Sequence, residues 1–450
     1  MSPESLPEPV IYLTQDRPIH LSPAFDTVIS AQQLTILGCG FHHSRWQNAG
    51  IQLREIMQES TPVIRETAAL ASFCEEAAKS AYVTVDTEFI RDKTFWPKLC
   101  LIQVAHETGA ACIDPLAAGI DLAPLYALLA DGAVLKVFHA ARQDLEIFFL
   151  ATGQVPSPLF DTQVAAMVCG FGDQVGYEAL IQRTLSKQVD KSSRFTDWSQ
   201  RPLTERQLAY ALADVTFLRD AYAKIRAMLD QSGRDAWLAE EMAVLADPAT
   251  YQLDPEEAWQ RVKVKGGNPR MRAIVKELAT WREIEAQTKD LPRSRVMKDD
   301  AILDIATHAP KTPGELEALR SIPRGFAASR QGQAVMQAVE RGLALPKDQL
   351  PKGEPRGPIP GPEVGATSDL LKVLLKRCAE REGVAPRLIA SMEDIERIAM
   401  DDHADVPALK GWRRSLFGEE ALALKHGHIG LGLKKGRVEA FALQPGDPSG

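Results

Sequence analysis

Hydrophobic and polar residues fall into a regular order from about residue 62 onward. The runs YVTVD, KLCLIQVA, ACIDP and VLKVFH are short, apolar and rich in β-branched residues, which predicts strands. QDLEIFFLATG, DTQVAAMVCGF and the longer RQLAYALADVTFLRDAYAKIRAML read as helices that follow them. An amphipathic helix, TAALASFCEEAAKSA, starts near Thr67 ahead of the first strand. This succession predicts an α/β domain over residues 62–245.

Beyond residue 250 the strand signal vanishes. KGGNPRMRAIVKELATWREIEAQTKDLPRSRVMKDDAILDIA carries apolar residues at helical spacing, with Asn268 as N-cap and Pro269 at the first helical position. An all-helical module is expected over 250–345. Residues 346–366, PKDQLPKGEPRGPIPGPEVGA, have no apolar periodicity and read as a semi-extended linker. A second helical module follows over 367–432, with a tail at 433–450. The two modules share a layout: a helix, a short connection with Pro and Arg, an acidic pair, then an Ile-rich helix. That pattern reads as a divergent internal repeat. Residues 1–61 show little periodicity, and Met57 lies just upstream of the first helix. The extension is read either as a mobile segment or as an artefact of start-site choice with Met57 the true start.

Composition narrows the class. Hydrophobic content of 45% and charged content of 25% are those of a soluble globular chain, and no run of about 20 apolar residues predicts a membrane span. The N-terminus lacks a basic segment followed by an apolar one, which argues against secretion. Six scattered cysteines without metal-finger spacing read as small buried hydrophobes in a reducing cytosol, so a cytoplasmic location is expected. The net charge of -8 does not announce a nucleic-acid binder. From Arg261 to Leu345, however, 16 Lys and Arg stand against 10 Asp and Glu, a basic module compatible with a phosphate-bearing partner. Lys263, Lys265, Arg270, Arg272, Arg293 and Arg295 make up the bulk of that excess and are expected to position RNA without reading its sequence.

The candidate chemistry is carried by acids. In YVTVDTEFI, alternation puts Thr84, Asp86 and Glu88 on one face of the strand. Alone, the pair reads as readily as a solvated strand end. Asp144 falls in the first turn of the helix after VLKVFH, where the helix dipole favours an anion. Tyr210 and Asp214 are one helical turn apart on an otherwise apolar face, where an unpaired carboxylate is costly. No segment supplies cations to neutralise four carboxylates, and like charges raise one another's pKa. Divalent ions resolve this, and oxygen-only ligation selects Mg²⁺ or Mn²⁺ over Zn²⁺. Two such ions form the clamp used for in-line displacement at phosphate.

The ordered set VDTEFIRDKTFWPKLCLIQVA, FHAARQDLE with FDTQVAA after it, and YALADVTFL resembles the three exonuclease motifs of the DEDD superfamily, in the subclass with a Tyr four residues before the last Asp. The likeness is to the ribonuclease D family, and KGGNPRMRAIVKELATWRE resembles the start of an HRDC domain, with the second module a divergent copy. The resemblance covers roughly residues 62–430. It implies a ribonuclease H-like exonuclease fold with a mixed sheet, followed by two all-α HRDC-like domains. By position it makes Asp86, Glu88, Asp144 and Asp214 the metal-binding carboxylates, with Tyr210 orienting the attacking water. The implied reaction releases nucleoside 5′-monophosphates one at a time from RNA 3′ ends, chiefly those of precursor transfer RNA, with no membrane and no obligate protein partner. A DNA 3′-5′ exonuclease with the same site, and a non-catalytic RNA-binding scaffold, are the other readings; the scaffold predicts loss of at least one acid, and none is lost.

Further residues carry two readings each. Phe89 is a candidate wedge under the terminal base or a core residue; His139, Arg142 and Gln143 are candidate substrate contacts or structural residues of one loop. Asp161 is expected to cap the helix TQVAAMV rather than serve as a fifth ligand. His426, His428 and LKKGR at 433–437 are expected to be exposed, and Trp259 and Trp281 to belong to the core.

Overall fold

The strand YVTVDTEFI lies inside the sheet that organises the first domain. In the computed structural model, which describes residues 63–190, 192–264, 266–351 and 362–443, the sheet has six strands. Their order is β1 (Val63–Ile64), β4 (Ala110–Ile113), β3 (Lys98–Ala105), β2 (Tyr82–Ile90), β5 (Leu135–Phe138) and β6 (Leu159–Asp161). β2 and β3 pair antiparallel, as do β3 and β4; the other pairings are parallel, so the sheet is mixed. One core joins Val83 and Val85 to helices α1 (Thr67–Ala77), α2 (Ala123–Ala130) and α3 (Arg142–Thr152) through Leu70, Leu125, Leu129, Leu145 and Phe148. A second core joins Val137 and Phe160 to α4 (Thr162–Val168), α5 (Tyr177–Leu185) and α6 (Glu205–Ser232), with Leu238 of α7 (Asp235–Ala246). Each large apolar side chain so buried contributes about 1.5–3 kcal/mol.

Helix α6, which carries Tyr210 and Asp214, is 28 residues long and defined at both ends. Thr204 and Gln207 form a reciprocal capping box at its start, and Gly233, at φ 64°, closes it in the left-handed region that glycine tolerates. Lys136 interrupts the apolar strand β5, yet it is fully buried. Its ammonium donates to the carbonyls of Asp131, Val134 and Ser157 at 2.7, 2.6 and 2.5 Å, which satisfies its charge.

Asn268 caps α8 (Pro269–Lys289) by accepting from Met271 N. The first helical module continues through α9 (Arg293–Val296), α10 (Asp299–His308), α11 (Pro313–Glu317) and α12 (Arg330–Ala344). Trp259 and Trp281 pack against its core, as expected. The second module opens with α13 (Pro362–Glu382), α14 (Pro386–Ile389) and α15 (Met392–Met400), followed later by α16 (Glu419–Lys425). Opening helices of 21, 4 and 10 residues in one module and 21, 4 and 9 in the other give the repeat pattern a structural counterpart.

Both modules pack on the α/β domain. Asp290, just past α8, accepts from the backbone N–H groups of Phe95 and Trp96, each at 2.9 Å. Trp96 Nε1 donates to Gln287 O at 3.2 Å, and Arg293 lies 4.5 Å from the centre of the Phe95 ring. The aromatic pair that follows the first acidic motif therefore docks a helical module. On the other side Trp237 of α7 stacks on Trp412, with ring centres 4.2 Å apart and planes 9° apart. Arg413 pairs with Glu240 and Glu241. Gly170 meets the backbone of Gly383 so closely that a Cβ there would sit 2.5 Å from its carbonyl oxygen.

Several expectations change. Residues 433–443 are not a plain tail: β7 (Ile429–Lys434) and β8 (Arg437–Ala442) form an antiparallel hairpin, so a strand signal does exist after residue 250. Its glycine-rich first strand hid the alternation, and Gly430 and Gly432 make room for Phe441. His426 and His428 are exposed, as expected, and His426 is also tied to Asp402 at 2.7 Å. The stretch read as a linker ends in helix, since α13 starts at Pro362. Three of the six basic residues singled out in the first module are engaged within the protein: Arg293 is bidentate to buried Glu283, Arg270 donates to the carbonyls of Gly342 and Leu345, and Arg272 to that of Gly266. Lys263 and Arg295 remain exposed, while Lys265 lies outside the described residues. The five described cysteines are free, and all but half-buried Cys169 are buried. The N-terminal extension, Met57 included, lies outside the described residues.

Candidate active site

Pairing sets the position of the acids on β2. The strand is bonded to β3 from Thr84 to Ile90, but to β5 only at Tyr82–Thr84, so the end carrying Asp86 and Glu88 projects past β5. The register shifts between Glu88 and Phe89, a bulge of the kind that re-aims side chains beside functional sites. Thr84, on the same face as the acids, donates to Val215 O of α6 at 2.8 Å. That bond lays α6 across β2 and brings Asp214 beside Asp86 and Glu88.

Asp86, Glu88 and Asp214 each offer a ligand atom, and these atoms all lie within 4.8 Å of one another. Their acidities record the crowding. Burial pushes Asp86 up to about 6. Burial, then the charges of Asp86, Asp214 and Asp144, push Glu88 up to about 10. Asp214 is raised by burial and by Asp86, and the Tyr210 hydroxyl offsets part of this. Asp214 Oδ1 is buried and, among the described residues, has no hydrogen-bond partner. Crowded carboxylates with an orphaned buried oxygen fit a divalent cation held by oxygen ligands.

Asp144 stands apart from this trio. It is buried in the first turn of α3, where the Thr87 hydroxyl donates to its carboxylate. Thr87 points to the face of β2 opposite Asp86 and Glu88, a partner the spacing of the acids does not reveal. Burial and the nearby Asp86 raise Asp144 well above the usual carboxylate range.

A pocket of about 490 Å³ opens over the trio, lined also by Phe89, His139, Tyr177, Arg194 and Tyr210. Tyr210 is half-buried; burial and Asp214 raise its phenol, so it stays protonated. His139 contacts the Thr162 hydroxyl at 3.0 Å, and burial lowers its pKa, which favours the neutral ring. Arg142 and Gln143 are exposed on the first turn of α3 and do not line the pocket. Asp161 is a cap, as expected, and holds two segments at once: it accepts from Gln163 and Val164 at the start of α4, and from Ala140 and Ala141 in the loop bearing His139.

Three residues of the site escape sequence reasoning. Thr87 is one; Tyr177 is another, its hydroxyl reaching the carbonyls of Ala213 and Asp214 at 3.1 and 2.6 Å. Arg194 is the third, a cation near the acids whose charge lowers Glu88 and Asp214. None sits at a periodic position relative to its partner. The only signal for Arg194 was a basic residue in the loop before α6.

Comparison with known proteins places this geometry in context. Residues 62–230 match the model of a 3′-5′ exonuclease family, and residues 271–339 that of the HRDC domain. Ribonuclease D of Nitrobacter hamburgensis is 54% identical over 377 residues, which are 84% of this chain and 98% of that protein. Ribonuclease D of Acidiphilium cryptum is 50% identical over 383 residues, covering 85% and 97%. The crystal structure of Escherichia coli RNase D, an exoribonuclease involved in structured RNA processing, matches with a TM-score of 0.70 at 31% identity, over 81% of this chain and 98% of that one.

Proposed function

The chain belongs to the ribonuclease D family and is a 3′-5′ exoribonuclease, and from that premise we propose that it trims the 3′ ends of precursor transfer RNA in the cytoplasm. Hydrolysis releases nucleoside 5′-monophosphates, and Asp86, Glu88, Asp144 and Asp214 hold two divalent ions, Mg²⁺ or Mn²⁺. The observation that carries this reading is the trio of carboxylates within 4.8 Å, with one buried oxygen of Asp214 unpartnered. Bound there, the ions supply positive charge that stabilises an in-line displacement at phosphorus.

The chain's own residues do the positioning. β2 and α6, locked by the bond from Thr84 to Val215, hold the acids rigidly; Tyr177 braces the carbonyls of the turn that presents Asp214. Tyr210, protonated, orients the attacking water through its hydroxyl and does not act as a base. Phe89 offers a face to the terminal base, and His139 a polar group to the terminal nucleotide. Arg142 and Gln143, exposed outside the pocket, serve the strand further out. The second helical module, with its 21-, 4- and 9-residue helices, is a divergent HRDC domain.

The test gives the purified protein a structured RNA with a 3′ tail beside a DNA of matched sequence. A ladder of one-nucleotide steps from the RNA alone is expected; shortening from the 5′ end, or equal attack on DNA, contradicts the reading. Tyr210→Phe is expected to lower kcat by about 10- to 100-fold while RNA affinity, measured with Ca²⁺ in place of Mg²⁺, stays within about twofold. An unchanged kcat removes Tyr210 from the chemical step.

A further inference from the structure

The loop ahead of α6 presents two residues that the site as described leaves without a task. Thr196 donates to Ser193 O through both its backbone N–H and its hydroxyl, at 3.1 and 2.8 Å, closing a turn with Arg194 and Phe195 at its centre. The turn is anchored from below. Ser193 is 2% exposed, Gln207 Nε2 donates to the Thr196 hydroxyl at 3.1 Å, and Trp198, buried next along the chain, packs 6.0 Å from the Tyr210 ring. Gln207 and Tyr210 belong to the helix that carries Asp214, so the turn keeps a fixed position relative to the acids.

What the turn displays is unusual on both counts. Arg194 lines the carboxylate pocket and is its one Arg or Lys among the described residues. Its guanidinium lies 5.3 Å from the Phe195 ring centre, and among the described residues no acid pairs with it. A cation beside Asp86, Glu88 and Asp214, close enough for its charge to lower Glu88 and Asp214 but not locked in an ion pair, is placed to meet an anion that enters with the substrate. Phe195 is 90% exposed, more than any other large hydrophobic residue described. Single exposed apolar residues are common, but this one lies in an anchored turn against the guanidinium that lines the pocket. A cation and an aromatic face side by side match the alternation of phosphate and base in a single strand.

We propose that the Ser193–Thr196 turn is a second substrate contact, in which Arg194 binds a backbone phosphate of the RNA and Phe195 stacks on a base to the 5′ side of the terminal nucleotide. The position of Phe195 outside the pocket assigns it to that flanking base, since the pocket receives the terminal one. This rests on the reading that the RNA 3′ end enters at the carboxylates.

Steady-state kinetics on a ten-residue oligoribonucleotide, run at several salt concentrations, test it. Phe195→Ala is expected to raise KM about tenfold with kcat held within about twofold, and Phe195→Tyr to keep the wild-type KM. On an oligoribonucleotide abasic at the positions just 5′ of the terminal nucleotide, wild type and Phe195→Ala are expected to be equal. Arg194→Gln is expected to raise KM and to reduce the slope of log KM against log salt by about 0.7, the value for one phosphate contact on a single strand, with Arg194→Lys restoring it. Wild-type KM and salt slope in both Phe195→Ala and Arg194→Gln overturn the proposal, as does a fall in kcat with KM unchanged. A wild-type protein that leaves the RNA intact refutes the reading of the site itself, and the proposal falls with it.

Discussion

Asp214→Asn is expected to reduce turnover roughly a thousandfold or more while the melting temperature of the chelated protein rises. The same is expected of Asp86→Asn. Both substitutions keep the shape of the side chain and delete its charge. In the active protein the lost charge weakens the hold on the divalent ions, and the electrostatic stabilisation that depends on them goes with it. In the chelated protein the same charge is a burden. Burial and Asp86 raise Asp214 well above the carboxylate range, and Asp214 in turn raises Glu88. Removing one member relieves its neighbours, an instance of a site that trades stability for activity. Activity assays together with thermal melts in EDTA check both halves. Substantial residual turnover sinks the assignment of these acids as ligands, and a lowered melting temperature contradicts the picture of mutual repulsion.

Chelation is expected to abolish activity, with Mg²⁺ or Mn²⁺ restoring it, and to leave a protein whose stability falls as pH rises. The sign follows from the acids on β2. In the unfolded chain Asp86 and Glu88 release their protons near pH 4, whereas in the fold they hold them up to about 6 and about 10. Between those limits the folded chain binds more protons than the unfolded one. The stability they contribute is therefore complete below about pH 4 and is lost as pH rises through the folded values. Divalent ions bind the deprotonated carboxylates, so an excess of Mg²⁺ or Mn²⁺ is expected to raise the melting temperature more at pH 8 than at pH 5. Melting curves at both pH values, with EDTA and with each ion, decide the matter. Equal increments at the two pH values would show that these carboxylates are not the group being neutralised.

Legibility from the sequence followed the range of the interaction. The period of two in YVTVDTEFI placed Asp86 and Glu88 together, and the structure finds them together. Helical spacing placed Tyr210 over Asp214, and their side chains interact. Local chemistry marked Asn268 and Asp161 as caps, and both accept the expected backbone N–H groups. The aromatic pair Phe95 and Trp96 was visible as part of a family motif, but its use was not. It docks a helix nearly 200 residues away, through bonds to Asp290 and Gln287. Arg270, Arg272 and Arg293 looked like a surface for RNA because charge can be counted from letters. Their partners, three carbonyls and buried Glu283, cannot.

What the sequence by itself determined was which residues share a face: alternation along a strand and the 3.6-residue turn of a helix are properties of the backbone, set within a few positions. Tertiary structure alone decided what each face meets. It gave Asp144 to Thr87, 57 residues away, braced Asp214 with Tyr177, and set Arg194 beside the acids. Those pairings depend on how β2 and α6 cross, and that crossing is fixed by the packing of whole elements and by a bond between Thr84 and Val215 that spans 131 positions.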